Sequence, residues 1–99
     1  MAVAVELDIR GVTLDQYDRI NEAVGLLPGG PAAEHEIFHW VSKTDQGIHV
    51  VDVWESRQAF EDFARHKLIP AFSEMGLGFG AEPRFFEVHN YLPGTGRRH

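Results

Sequence analysis

Val50-Val51-Asp52-Val53-Trp54-Glu55-Ser56, with Phe60 and Phe63 just beyond it, is the stretch whose reading decides the fold. Its β-branched and aromatic residues are strand formers. Ser56 is a helix N-cap residue placed directly before an apolar stripe at helical spacing, so a strand runs straight into a capped helix. Asp52 is the anomaly. A carboxylate among valines and a tryptophan is costly unless something pairs with it. The acid is either a paired structural charge or part of a site.

Upstream, Thr44-Asp45-Gln46-Gly47 is a polar, glycine-ending turn. It joins a strand from about Glu34 to Lys43 to the strand from about Ile48 to Glu55, as a hairpin. Further back, Val3, Val5, Leu7 and Ile9 alternate with Ala4, Glu6 and Asp8 in strand periodicity. Thr13 and Gln16 stand at capping-box spacing. Leu14, Tyr17, Ile20, Val24 and Leu27 follow as a helical stripe, which Pro28-Gly29-Gly30-Pro31 ends in a loop. Downstream of Phe63, Pro70 disfavours helix at Ile69, which predicts a break and a short extra turn through Met75. Gly76 to Pro83 reads as loop, and Arg84 to Leu92 as the last strand.

The order is βαββαβ, which predicts an α+β, ferredoxin-like domain over 1–92 and a loose tail over 93–99. Four antiparallel strands are covered on one face by two helices. Strands two and three are nevertheless apolar on both faces. Ile37, Val41, Ile48, Val50 and Trp54 share one face; Phe38, Trp40, Val51 and Val53 share the other. A sheet covered on one side alternates with polar residues instead. A second copy of the chain is the economical cover, which predicts a homodimer through the sheet faces.

Bulk properties exclude several classes. Ninety-nine residues make one domain with a thin core. The absence of cysteine excludes disulfides, a thiolate nucleophile and zinc–thiolate sites. A net charge of −6 argues against nucleic acid, since Arg97 and Arg98 alone make no basic face. No apolar run approaches the ~20 residues of a membrane helix, and the acids among Met1 to Asp8 do not suit a signal peptide. The expectation is a cytoplasmic protein.

The βαββαβ order, Val51 to Ser56 entering the second helix, Phe60 and Phe63, and His89-Asn90-Tyr91 in the last strand together resemble the dimeric α/β-barrel superfamily. The resemblance is to small proteins of the antibiotic-biosynthesis-monooxygenase type, and it covers nearly the whole chain. It implies a pocket between sheet and helices and two sheets closing face to face. It also implies a choice of chemistries, among them oxygenation or cyclisation of aromatic polyketides and haem degradation. Haem-degrading members carry a tryptophan at the position of Phe63 and a haem-ligating histidine at that of Ser73, so this chain departs from that branch. The resemblance also places a functional histidine of some cyclases in the last strand, which points to His89.

The hairpin register adds a constellation. A turn of two or four residues sets Lys43 opposite Ile48, Val41 opposite Val50, His39 opposite Asp52 and Ile37 opposite Trp54. Opposed Cβ atoms lie about 4.5–5.5 Å apart. His39 and Asp52 are then an imidazole–carboxylate pair in apolar surroundings. Such a pair suits a general base, and it equally suits a structural pair that satisfies a buried acid. Tyr17, Trp54, Phe63, His66 and Tyr91 are candidate pocket residues beside the catalytic candidates His39, Asp52 and His89. His35 and His39 have helical zinc spacing, but on a strand they stand about 13 Å apart, so no metal is expected. Gly76-Leu77-Gly78-Phe79-Gly80 follows a helix, not a strand, and lacks the context of a phosphate loop. Leu92-Pro93-Gly94-Thr95-Gly96 matches a sortase pattern without the hydrophobic segment that accompanies it.

The sequence thus points to a cofactor-independent enzyme, of monooxygenase or cyclase type, acting on an aromatic or polyketide-like small molecule. A non-catalytic binding or structural dimeric module is the alternative.

Overall fold

In the computed structural model, which describes residues 1–27, 30 and 32–92, the hairpin and the strand-to-helix junction form as the sequence predicts. Strands β1 (Val3–Arg10), β2 (Glu36–Lys43), β3 (Gly47–Trp54) and β4 (Arg84–Glu87) make one antiparallel sheet in the order β2-β3-β1-β4. Helix α1 (Leu14–Ala23) follows β1. After β3 come α2 (Arg57–Phe63), a π-helical turn (Ala64–Leu68) and α3 (Ile69–Glu74). Val5, Leu7 and Ile9 of β1 and Ile48, Val50 and Trp54 of β3 are buried together with Ile20, Phe60, Leu68 and Phe72. The core therefore lies between the sheet and the helices.

Both helix starts obey local chemistry. The Thr13 hydroxyl accepts from the Gln16 N–H at 3.1 Å, and the Gln16 side chain accepts from the Thr13 N–H at 3.0 Å, a complete capping box. Ser56 Oγ accepts from the Ala59 N–H at 3.1 Å. Gly47, at the head of β3, has no room for a side chain, because a Cβ there would sit 2.0 Å from the Ile9 carbonyl oxygen. That close approach fixes how β3 packs beside β1.

Four expectations are corrected. Pro70 does not break the second helical region, whose backbone stays helical at Leu68 and Ile69. Proline has no N–H and its ring crowds the carbonyl four residues back. The turn before it widens to π geometry, with the Ile69 N–H reaching Ala64 O, and absorbs that defect. Helix α1 stops at Ala23, with Gly25 at φ 85°, so Leu27 is exposed rather than part of the stripe. The expected loop over 28–31 lies outside the described residues except Gly30, as does the tail 93–99.

The last strand ends at Glu87, not Leu92. It pairs only with β1, whose first residue, Val3, lies opposite Glu87. Beyond one further bond, from the Val88 N–H to Ala2 O, no partner strand is left among the described residues. The fourth correction is a β-bulge near the start of β2. His39 faces Asp52 and Val41 faces Val50 as expected, but Glu36, not Ile37, lies opposite Trp54. One extra residue has been inserted, and it turns Glu36 toward the helices.

Among the described residues, nothing covers the other face of the sheet. Phe38 (58% exposed), Trp40 (42%) and Phe86 (52%) stand on it. Between them runs a polar line in which Glu6 accepts from His49 Nε2 at 3.1 Å and pairs with Arg84, while Trp40 packs edge-on to His49 at 5.4 Å.

Candidate functional site

Three ionisable side chains converge on the helix-facing side of the β2–β3 hairpin. Asp52 is buried by the same strand alternation that buries Val50 and Trp54. His39 comes to it through the register. Glu36 arrives through the bulge. One ligand-type atom from each of the three lies within 4.8 Å of the others. They are the group among the described residues able to offer a metal ion several donors, a mixed N/O set. His39 Nδ1 and Glu36 Oε2 are already bonded to one another at 3.2 Å.

Hydrogen bonding distinguishes the two acids. The Glu36 side chain is only 3% exposed, yet both its oxygens have partners. Oε1 accepts from the Ala33 N–H at 3.1 Å and Oε2 contacts His39 Nδ1. Asp52 accepts one long bond from Trp54 Nε1 at 3.4 Å and shares a hydrogen bond with the Glu36 carboxyl. Its surroundings favour the neutral acid. Burial is the main cause, the adjacent negative charge of Glu36 adds to it, and His39 with the Trp54 indole offsets only part; its pKa is pushed up from 3.8 to about 7. The hydrogen bond to Glu36 raises the pKa of His39, against an opposing effect of burial.

Tyr17 reaches the same space from α1. Burial pushes its phenol up to about 12, a hydrogen bond with Asn21 offsets part of that, and the charges of Asp52, Glu36 and Asp18 add to it. Near neutral pH it is a hydrogen-bond donor and not a base. Leu7, Ile9, Leu26, Val50, Phe63 and Phe72 close the remaining wall around a cavity of about 30 Å³, enough for a water molecule. A larger groove of about 430 Å³ lies outside it and shares Leu26 and Phe63 with it.

The structure thus brings together His39, Asp52, Tyr17, Trp54 and Phe63 from among the sequence candidates. It does not bring His89, Tyr91 or His66 to them. His89 and Tyr91 are exposed beyond the end of β4. His66 is exposed on the π turn, its Nδ1 bonded to the Asp62 carbonyl at 2.9 Å, and lines the outer groove instead. His35 also lies apart from the cluster, at φ 68° and bonded to Glu55 at 3.3 Å. Glu36 is the member that sequence reasoning missed, because strict alternation from Asp52 places it on the wrong face.

No family model and no curated protein sequence matches the chain. Solved structures do. SnoaB, a cofactor-independent oxygenase from Streptomyces nogalater, superposes with a TM-score of 0.57 at 14% identity, over 94% of this chain and 97% of its own. A protein from Deinococcus radiodurans, provisionally assigned as an antibiotic biosynthesis monooxygenase, gives 0.52 at 12% identity, over 97% of this chain and 100% of its own. The fold is the ferredoxin-like one of the antibiotic-biosynthesis-monooxygenase type. At these identities the likeness is one of fold, and the chemistry has to be argued from this chain's own side chains.

Proposed function

We propose that the protein is a small-molecule enzyme that works by acid–base chemistry without a cofactor, with His39 as general base, on a phenolic or β-dicarbonyl compound of aromatic, polyketide-like character. The observation that supports this best is the buried Glu36–His39–Asp52 cluster at a cavity on the helix-facing side of the sheet. A carboxylate on Nδ1 leaves Nε2 of neutral His39 with its lone pair free, which is the arrangement a base needs. Phe63, which lines the cavity and packs on Trp54 with ring centroids 5.3 Å apart, supplies an apolar wall suited to a planar ring.

The cavity of about 30 Å³ is far below the roughly 300–1,000 Å³ of ordinary ligand sites. A ring therefore has to displace Phe63 or Leu26, the partition shared with the outer groove. Once the ligand is deprotonated, the carbanion either reacts with O₂ or closes a ring on a neighbouring carbonyl. The fold's likeness to a cofactor-independent oxygenase favours the first course. The assay is turnover of an aromatic substrate after dialysis against EDTA, by wild type and His39→Ala. Loss of wild-type turnover on dialysis, or full turnover by a folded His39→Ala variant, would refute the reading.

The protein acts as a homodimer in the same proposal. Phe38, Trp40 and Phe86 on the uncovered sheet face are the support, with a second copy as the cover. A monomer in sedimentation equilibrium at micromolar concentration would remove that part of it. A non-catalytic dimeric binding module remains the competing reading, and it predicts that no substrate is turned over.

A further inference from the structure

The two buried acids of the cluster differ in what holds them, and the difference assigns them different work. Glu36 is surrounded by donors: a backbone N–H on one oxygen and the His39 ring on the other. An ionised carboxylate is an acceptor at both oxygens, so this environment fits the charged form. Asp52 has one long indole contact and a hydrogen bond with Glu36, whose charge lies close by. Two carboxylates in one buried corner do not both ionise without a cation, and His39 is the one cationic group of the cluster. The same corner faces Tyr17 from α1, with Asp18 behind it, and only apolar Leu7 and Ile9 from β1.

We propose that Glu36 and Asp52 hold one proton between them, with Glu36 as the carboxylate that orients His39 and Asp52 as a neutral acid that donates its proton to a ligand oxygen. The proposal rests on the acid–base reading of the site and names a reaction class for it, the enolisation of a small carbonyl compound. His39 Nε2 takes the proton from the carbon next to the carbonyl. That C–H bond breaks and an N–H bond forms. Its electron pair moves into the new C=C bond, the carbonyl oxygen gains electron density, and the Asp52 O–H proton passes to it. Return of the proton from His39 to Asp52, directly or through water, completes the cycle. Nothing is oxidised, so this step needs no dioxygen. Glu36 is a positioning residue here, acting through His39.

The test is a pH titration by NMR of the ligand-free protein, in wild type, Glu36→Gln and Asp52→Asn. It follows the side-chain carboxyl carbons of Glu36 and Asp52 and both ring nitrogens of His39 from pH 4 to 9. At pH 6 the wild type is expected to show a carboxylate at Glu36, a protonated carboxyl at Asp52, and, where His39 is neutral, a proton on Nδ1. Glu36→Gln is expected to lower the Asp52 pKa and to let the His39 proton redistribute between its two nitrogens; a purely structural Glu36 would leave the tautomer unchanged. Asp52→Asn is expected to keep the tautomer. Full ionisation of Asp52 by pH 5, a protonated Glu36 at pH 6, or a neutral His39 carrying its proton on Nε2 would each overturn the proposal. Because no ligand is involved, its failure would leave the His39→Ala assay standing as the separate test of the base.

Discussion

The two faces of the sheet carry the same kinds of side chain under opposite conditions. On the open face, the acid Glu6 lies between His49 and Arg84, so a permanent cation balances it where water still reaches. On the covered face, two acids lie beside one imidazole, and no Arg or Lys among the described residues contributes to the charge balance of Asp52 or His39. The first arrangement is self-sufficient as a structural pairing. The second leaves a proton to be held inside the protein, which costs stability and is the condition under which acid–base chemistry near neutral pH becomes available. The two sites differ in the charge that balances the acid, not in the residue types.

The largest effect expected is on the covered face. His39→Ala should reduce turnover of an accepted substrate by about 10²–10⁴, whereas His89→Ala, which alters an exposed residue beyond β4, should keep wild-type kcat. Loss of activity in the His89 variant with His39→Ala active would reverse that assignment. Next comes the open face. A Phe38→Asp, Trp40→Glu double variant sets charge on two of its three exposed aromatics and should convert a dimer to monomer by sedimentation while leaving the circular dichroism spectrum intact. A double variant that sediments as wild type would show that this face is not the interface.

A smaller effect is expected at Tyr17. Its phenol, held at about 12, keeps its proton near neutral pH and can donate it in a hydrogen bond. Tyr17→Phe should lower kcat by up to about tenfold, the worth of one hydrogen bond, with the shape of the pH profile between 6 and 9 unchanged. A profile that loses one of its limbs would mean that the phenol titrates in the cycle. The smallest lies far from either face. Thr13→Ala removes the capping box of α1 and should cost about 1 kcal/mol in urea unfolding with no change in activity.

What the sequence makes legible follows how local each cause is. Thr13 with Gln16, Ser56, and the alternation of Val5, Leu7 and Ile9 act over a few residues, and each appears where it is expected. The His39–Asp52 pairing is also local, since a hairpin turn of even length sets it. Glu36 is hidden because the bulge beside Ile37 shifts the register by one, and strict alternation has no signal for an inserted residue. His89 and Tyr91 are misplaced because β-forming residues continue past Glu87 while the partner strand, starting at Val3, does not. A strand needs a neighbour, and the end of the neighbour is not written in the strand's own sequence. Pro70 likewise forecasts a break, but a π turn absorbs it at the cost of one wider loop of helix.

Asp52 on the covered face stands at a stability cost, as groups kept for chemistry do, and not as a stabilising partner. The sign follows from Asp52, whose pKa rises on folding from 3.8 to about 7. The folded state then binds more protons than the unfolded chain between those values, so stability falls as pH rises through the interval. His39, also raised, adds stability below its ordinary value of 6.5 that is lost as pH climbs through its folded one. The rise at Asp52 sets a ceiling of about 4 kcal/mol for the cost of its ionised form at pH 8, and the nearby charges of Glu36 and His39 lower the expectation to about 1–3 kcal/mol. Urea unfolding of Asp52→Asn against wild type at pH 4 and pH 8 measures it directly. Near-equal stabilities are expected at pH 4, and a variant more stable than wild type at pH 8. A variant destabilised at pH 8 would show that Asp52 is an ordinary structural partner and would contradict the account.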